Sequence, residues 1–255
     1  MPQYPDLAGK VALVTGGSKG IGAATVRALA ANHARVAVNG RDVSAIEALV
    51  RELRYAGGEA IGAPADVCRA DQLEGVRERV EAELGPVEVL IAFAGGFGPF
   101  TAVHEIGEQE WRQVIDSNLT STFLTIRAFL PGMIERRAGA IVTMASSAAR
   151  HLDATLTASY AAAKAGIVQL TRHVALEVGR YGIRVNCVAP GTTITERVQR
   201  NLSEEGQAAL AAKSPLGRLG RPEEPAMATL FLASEAASGF VTGVTFDVSG
   251  GRIML

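Results

Sequence analysis

Short, wholly apolar runs separated by longer segments of helical period constrain this chain more than any other feature. Val11-Ala12-Leu13-Val14 is followed by a helical stretch from about Ile21 to Ala31. Arg35-Val36-Ala37-Val38 is followed by one from about Ser44 to Tyr55, where Ser44 and Glu47 fit a capping box. Ala60 to Ala63 is a weaker run, with a helix near Asp71 to Leu84 and a strand at Val87 to Phe93 after it. Long helical stretches cover about Glu108 to Arg136 and Ser159 to Arg180, and strands at Ala140 to Ala145 and Arg184 to Val188 flank the second. A strand without a polar face must be covered on both sides, and a helix after each strand returns the chain parallel to the one before. With right-handed crossovers, the pattern predicts an α/β fold, a doubly wound parallel sheet with helices on both faces, as a single domain over 1–255. The segment 192–220 breaks the alternation with polar residues, Pro215 and several glycines. It reads equally as a lid over a site or as a peripheral helical excursion.

Composition removes several function classes. A net charge of −1 offers no basic face for neutralising phosphates, so no nucleic-acid partner is expected. No apolar run approaches the roughly 18 residues that span a bilayer, and Met1 to Lys10 lacks the pattern of a signal peptide. A cytoplasmic protein without membrane partners is expected. Cys68 and Cys187 lie far apart in apolar surroundings and read as buried thiols. His33, His104, His151 and His173 show no ligand spacing, so no metal site is expected.

The first strand runs through Thr15-Gly16-Gly17-Ser18-Lys19-Gly20-Ile21-Gly22 directly into a helix. Glycines permit a tight turn and close approach of a ligand, and the free N–H groups of the helix start favour a pyrophosphate. At the first strand-to-helix turn of such a sheet, this predicts nucleotide binding. The second strand ends in Asn39-Gly40-Arg41, with no carboxylate to accept from ribose hydroxyls. Arg41 and Lys19 can instead pair with a 2′-phosphate, which favours NADP(H) and leaves NADH and its oxidised form possible. Two solvated surface charges is the plainer reading of both, and Asp42 is read as a helix cap.

Tyr160 and Lys164 stand four residues apart, on one face of a helix. A phenol titrates near 10, and a neighbouring cation lowers that value. Such a pair can give or take a proton at a carbonyl or alcohol.

These motifs, in this order over about Leu7 to Gly251, make the chain resemble the short-chain dehydrogenase/reductase family, with its Rossmann-type fold. The set is the Thr15–Gly22 turn, Asp66-Val67, Ala94-Gly95, Asn118, Ser147 thirteen residues before Tyr160, Lys164, and Pro190-Gly191. The resemblance implies that Tyr160 is the general acid or base, and that Lys164 tunes it and holds the nicotinamide ribose. Ser147, favoured over Ser146 by its spacing, would bond the substrate oxygen, and Asn118 would help to position a water relaying protons to Lys164. It further implies cofactor contacts from Gly16, Ser18, Lys19, Gly20, Ile21 and Gly22, and from Asn39, Arg41, Asp66 and Val67. Phe93, Ala94, Gly95, Pro190, Gly191, Thr193 and Thr195 complete the set. Asp66 and Thr195 read alternatively as helix caps.

Two departures from the family pattern stand out. Ala92-Phe93-Ala94-Gly95 replaces a frequent Asn-Asn-Ala-Gly, so a bracing asparagine is lost or replaced. Ser249-Gly250-Gly251 replaces a frequent Asp-Gly-Gly, with Asp247 two residues earlier. Within the family the chain is similar to the subgroup of 3-oxoacyl-carrier-protein reductases, through Tyr160–Gly166 and Pro215-Leu216-Gly217-Arg218. The expected activity is transfer of hydride between nicotinamide and a ketone or secondary alcohol. The alternatives are a sugar or steroid dehydrogenase using NAD, and a catalytically silent dinucleotide sensor or scaffold. A homotetramer or homodimer is implied. Substrate choice is assigned to three segments: 96–103, with Phe97, Pro99 and Phe100; 149–157, with Arg150, His151 and Asp153; and 192–220.

Overall fold

Val11–Thr15 (β1) is buried at every position, as a strand packed on both faces must be. A computed structural model describes residues 2–98, 100–151 and 156–254. Pro99 and Asp153, both assigned to substrate choice, lie outside the described residues. From β1 the chain alternates through Gly20–Ala31 (α1), Arg35–Gly40 (β2), Val43–Tyr55 (α2), Ala60–Pro64 (β3), Ala70–Glu83 (α3) and Val89–Ala92 (β4). Glu108–Ile115 (α4) and Ser121–Arg136 (α5) follow, then Gly139–Met144 (β5), Ala158–Val178 (α6) and Ile183–Pro190 (β6). Glu196–Asn201 (α7) and Glu204–Ala212 (α8) lie in the 192–220 segment, and Glu223–Ala233 (α9), Glu235–Ser238 (α10) and Thr245–Val248 (β7) close the fold.

Among the described residues the strands form one sheet in the order β3-β2-β1-β4-β5-β6-β7, and every pairing is parallel. The order reverses direction between β1 and β4, which opens a crevice at the carboxyl ends of those strands. Apolar side chains of α1, α2 and α9 cover one face, including Leu29, Ile46 and Leu230. Those of α3, α5 and α6 cover the other, including Val80, Met133 and Val178. Arg184 is buried on β6 and fully engaged: it donates to Glu235 at 2.7 Å, to the Leu232 carbonyl at 2.7 Å and to Ser238 at 2.9 Å. A buried guanidinium is tolerated because each of these acceptors repays part of its lost hydration.

Three expectations are corrected. Helix α2 begins at Val43, so Ser44 lies inside it; Asp42 is the cap, accepting from the Ala45 N–H at 3.1 Å. Cys187 is buried, but Cys68 is only half-buried, because it sits on the turn after β3 rather than within a strand. The stretch Glu108 to Arg136 is not one regular helix, because a π-helical turn at Asp116–Thr120 separates α4 from α5. No helix of the described residues is long and apolar enough to cross a membrane, and no group of metal-binding side chains occurs among them.

Candidate active site

The glycine turn closes on itself by contacts that admit no side chain. A Cβ on Gly22 would lie 2.0 Å from the Gly16 carbonyl oxygen, so the start of α1 packs directly on the end of β1. Gly16 and Gly20 both take positive φ, at 64° and 51°, a region open to glycine at little cost. No side chain caps α1, and its first turn carries no acidic residue. Its first N–H groups are therefore offered to an anion. Ser18 faces Gly40 across the turn, and Lys19 donates to Asp42 at 2.5 Å. Lys19 draws the Asp42 carboxyl below its usual range, chiefly through this hydrogen bond.

The neighbouring strand tips complete this half. Asn39 is buried; its amide donates to the Ala63 carbonyl at 2.8 Å, while its Oδ1 has no partner. Arg41 is exposed on the loop after β2. Asp66 accepts from the Cys68 N–H at 3.0 Å and does not cap α3, whose N-cap is Arg69. Val67 is buried beside it. At the end of β4 the bracing role falls to Thr15, whose hydroxyl accepts from the N–H groups of Phe93 at 3.1 Å and Ala94 at 3.2 Å. The Phe93 side chain is buried in the core instead.

Asn118 sits on the π turn and clamps the loop beyond β4. Its Oδ1 accepts from the Gly96 N–H and its Nδ2 donates to the Gly96 carbonyl, both at 3.0 Å. Nδ2 also reaches the Val114 carbonyl at 2.9 Å, an acceptor the helix ladder would otherwise use. This competition accounts for the widened turn. The Asn118 amide is thus fully engaged with backbone, and its carbonyl accepts from Ser121 and Thr122. Gly95 permits the approach, since a Cβ there would lie 2.5 Å from Oδ1.

Across the crevice, α6 carries Tyr160 and Lys164, both buried. Thr157 caps the helix by accepting from the Tyr160 N–H at 3.4 Å. Lys164 donates to the Met144 carbonyl at the end of β5 at 2.9 Å, and its Nζ lies 5.6 Å from the Tyr160 ring centre. Gly166 lets α6 close onto Leu119 of the π turn. Burial pushes the Tyr160 phenol above its ordinary value, opposed by nearby Ser146 and by the charge of Arg197. Burial also lowers the Lys164 ammonium to about 8. Desolvation outweighs the charge of Arg197, the cation that acts on the phenol here. The two serines divide: Ser146 caps the turn that follows, accepting from the Ala148 N–H at 3.2 Å. Ser147, expected beside the substrate, opens a short 3-10 turn, and its hydroxyl has no partner among the described residues.

Beyond β6, Pro190 ends the strand and Gly191 packs on Ser249, where a Cβ would lie 3.0 Å from the Ser249 Cα. Thr193 is buried and bridged to Gly220, so the two ends of 192–220 are stitched together. Thr195 caps α7 through the Val198 N–H at 3.4 Å and rests against Gly20. Arg150 faces neither substrate nor solvent but pairs with Asp247 at 2.8 Å, while His151 is exposed. Phe97 meets the Tyr160 ring edge-on at 5.9 Å, whereas Phe100 points to solvent. Sequence reasoning missed Arg197, Thr157 and Thr15. Only the serine and threonine preference for N-caps offered a signal, and only for Thr157.

The arrangement pairs an anion-binding turn with a buried phenol and ammonium at the same end of one sheet. A family model described as enoyl-(acyl carrier protein) reductase matches residues 16–252. The chain is 42% identical over 242 residues to cis-4-hydroxycyclohexanecarboxylate dehydrogenase of Sinomonas cyclohexanicum, covering 95% of this chain and 96% of that one. It is 37% identical to a 3-oxoacyl-[acyl-carrier-protein] reductase of Escherichia coli, covering 97% and 98%. A solved 3-oxoacyl-[acyl-carrier protein] reductase from Brucella melitensis with bound NAD superposes with a TM-score of 0.92 at 35% identity, covering 99% and 94%. The chain belongs to the short-chain dehydrogenase/reductase family, as an oxidoreductase of the 3-oxoacyl-carrier-protein-reductase-like group that interconverts CH–OH and C=O with a nicotinamide cofactor.

Proposed function

We propose that this enzyme uses NADP(H) to reduce a ketone or oxidise a secondary alcohol, with Tyr160 moving the proton. The observation that carries the reading is the buried Tyr160 phenol, one helical turn from buried Lys164. The residues fit a dinucleotide: the start of α1 is uncapped, and Asn39 keeps an unpartnered buried oxygen at the adjoining strand tip. Gly16 through Gly22 would hold the pyrophosphate, with Ser18 and Lys19 beside it. Asn39 and Arg41 would meet the adenosine ribose, and Asp66 and Val67 the adenine. Phe93, Ala94 and Gly95 would offer backbone to the far ribose, and Pro190, Gly191, Thr193 and Thr195 would meet the carboxamide. A nicotinamide bound there supplies or accepts the hydride.

The residues of this chain handle the proton and the charge. Burial keeps Tyr160 protonated at neutral pH, the form that donates to a carbonyl oxygen. Ser147 would donate to the same oxygen and favour the charge that develops on it. Lys164 would hold the nicotinamide ribose and return a proton to Tyr160 from the interior, with Asn118 holding the loop and helix that border this route. Apolar Trp111 and Phe123, exposed on α4 and α5, support assembly into a homotetramer or homodimer. A cytoplasmic location fits the same reading.

Cofactor choice rests on the tip of β2. No carboxylate stands there, Lys19 is engaged by Asp42, and Arg41 has no carboxylate partner among the described residues. Arg41 is therefore the group that would meet a 2′-phosphate. Initial rates over a panel of ketones and alcohols with both cofactors test this. NADP(H) should be preferred by about 10-fold or more in kcat/KM, and Arg41→Ala should erase the preference. Equal use of both cofactors, unchanged in the variant, would overturn it.

A further inference from the structure

Arg197 takes no part in the proton path, yet its side chain crosses the site. It belongs to α7, and its guanidinium carbon lies 5.9 Å from the centre of the Phe97 ring. Phe97 in turn meets Tyr160 at 5.9 Å. The guanidinium also lies against the loop after β4, where a Cβ on Gly96 would fall 1.8 Å from Nη1. The lack of a side chain at Gly96 is what admits it. Its charge acts on the Tyr160 phenol. Among the described residues no carboxylate pairs with Arg197, whereas Arg150 is paired with Asp247 at 2.8 Å and Arg218 with Glu224 at 2.5 Å. Arg197 is exposed, so an incoming anion can reach it.

We propose that Arg197 is the substrate's anion-binding residue, and that the substrate is a compact ketone or secondary alcohol carrying one carboxylate away from its reacting carbon. The proposal rests on the oxidoreductase reading above and names its substrate class. A guanidinium is a planar fork that takes a carboxylate with two parallel hydrogen bonds, and an aromatic face beneath it fixes the plane of the fork. Phe97 stands between that fork and the phenol, so it would pack against the hydrocarbon part of the molecule. The carbonyl then points at Tyr160 and the carboxylate at Arg197. Arg197 is the one guanidinium stacked on Phe97 among the described residues, and with Arg150 already neutralised it suits one carboxylate better than a multiply charged carrier. The rival role for Arg197 is the cofactor pyrophosphate, which the test separates.

Steady-state rates with NADPH should be compared for 4-oxocyclohexanecarboxylate and the neutral 4-methylcyclohexanone, in the wild type, Arg197→Ala and Arg197→Lys. The wild type should favour the keto acid in kcat/KM. Arg197→Ala should lower the ratio of the two kcat/KM values by about 10- to 100-fold, mainly through KM of the keto acid. Arg197→Lys should recover part of it, and the NADPH Kd should move far less than that KM. An unchanged ratio, or an NADPH Kd that rises as much as the keto-acid KM, would overturn the proposal. If neither ketone is turned over, these two are not substrates, and calorimetry with cyclohexanecarboxylate on the NADPH-loaded protein still decides the anion site. Saturable binding lost in Arg197→Ala supports the anion site, and no saturable binding to the wild type refutes it.

Discussion

Two adjacent hydroxyls stand at the end of β5, and the structure gives them different work. Ser146 is already engaged, accepting from Ala148, while the Ser147 hydroxyl has no partner among the described residues. Ser147 is therefore the group available to a substrate oxygen. Ser147→Ala should lower kcat by about 100-fold, the scale of one lost donor to a developing oxyanion. Ser146→Ala should cost less and shift the pH profile of the reaction instead. The reverse order of losses would reassign the two serines. Lys164 makes a second prediction. Burial holds its ammonium at about 8, against 10.5 for a free lysine. Between those values the unfolded chain keeps a proton that the folded chain has released, so this lysine makes stability rise with pH across that window. Cys187, whose thiol burial pushes up, acts in the opposite sense from pH 9 upward, so comparison with Lys164→Met isolates the lysine. The variant should be the more stable by about 3 kcal/mol at neutral pH, with the gap closing as pH rises through the window. Denaturant titrations that show parallel pH dependences would contradict this.

At the scale of elements, the clamp between Asn118 and the loop after β4 couples helix to strand. Gly95 has φ 137°, and a Cβ there would meet Oδ1 of Asn118 at 2.5 Å. Gly95→Ala should destabilise the protein by about 2 kcal/mol or more, read as a lower denaturation midpoint; a stability equal to wild type would mean that the clamp is dispensable. Much of this level was legible beforehand. Predominantly apolar runs marked β1, β2, β4, β5 and β6, because strands covered on both faces leave little polar signature, with Arg35 in β2 and Arg184 and Asn186 in β6 among the exceptions. β7 escaped because Phe246 is exposed and Asp247 interrupts its apolar character. The π turn escaped because its cause, the Asn118 amide taking the Val114 carbonyl from the helix ladder, leaves no mark in the apolar pattern. The capping box at Ser44 and Glu47 was misplaced because those residues fit its pattern inside the helix, while Asp42, also read as a cap, takes the end two residues earlier.

For the whole molecule, the parallel sheet delivers the glycine turn, the β2 tip, the clamp and the α6 pair to the carboxyl ends of its strands, where a reversal of strand order leaves room for a ligand. Tyr160 and Lys164 were readable because their spacing is local. Arg197 was not, because nothing in the chain links position 197 to position 96 until the fold joins them. The same separation explains why the reaction class was accessible from the sequence and the recognition of the substrate was not. The central claim is that one phenol gives or takes the proton at the substrate, while the other groups bind, orient and resupply it. Its most direct test is Tyr160→Phe, assayed by the absorbance of reduced nicotinamide with a turned-over ketone and by fluorescence titration of NADPH. The account predicts a Kd within a few-fold of wild type and a kcat lower by about 100- to 10,000-fold. A variant that binds NADPH and turns over at the wild-type rate would contradict it.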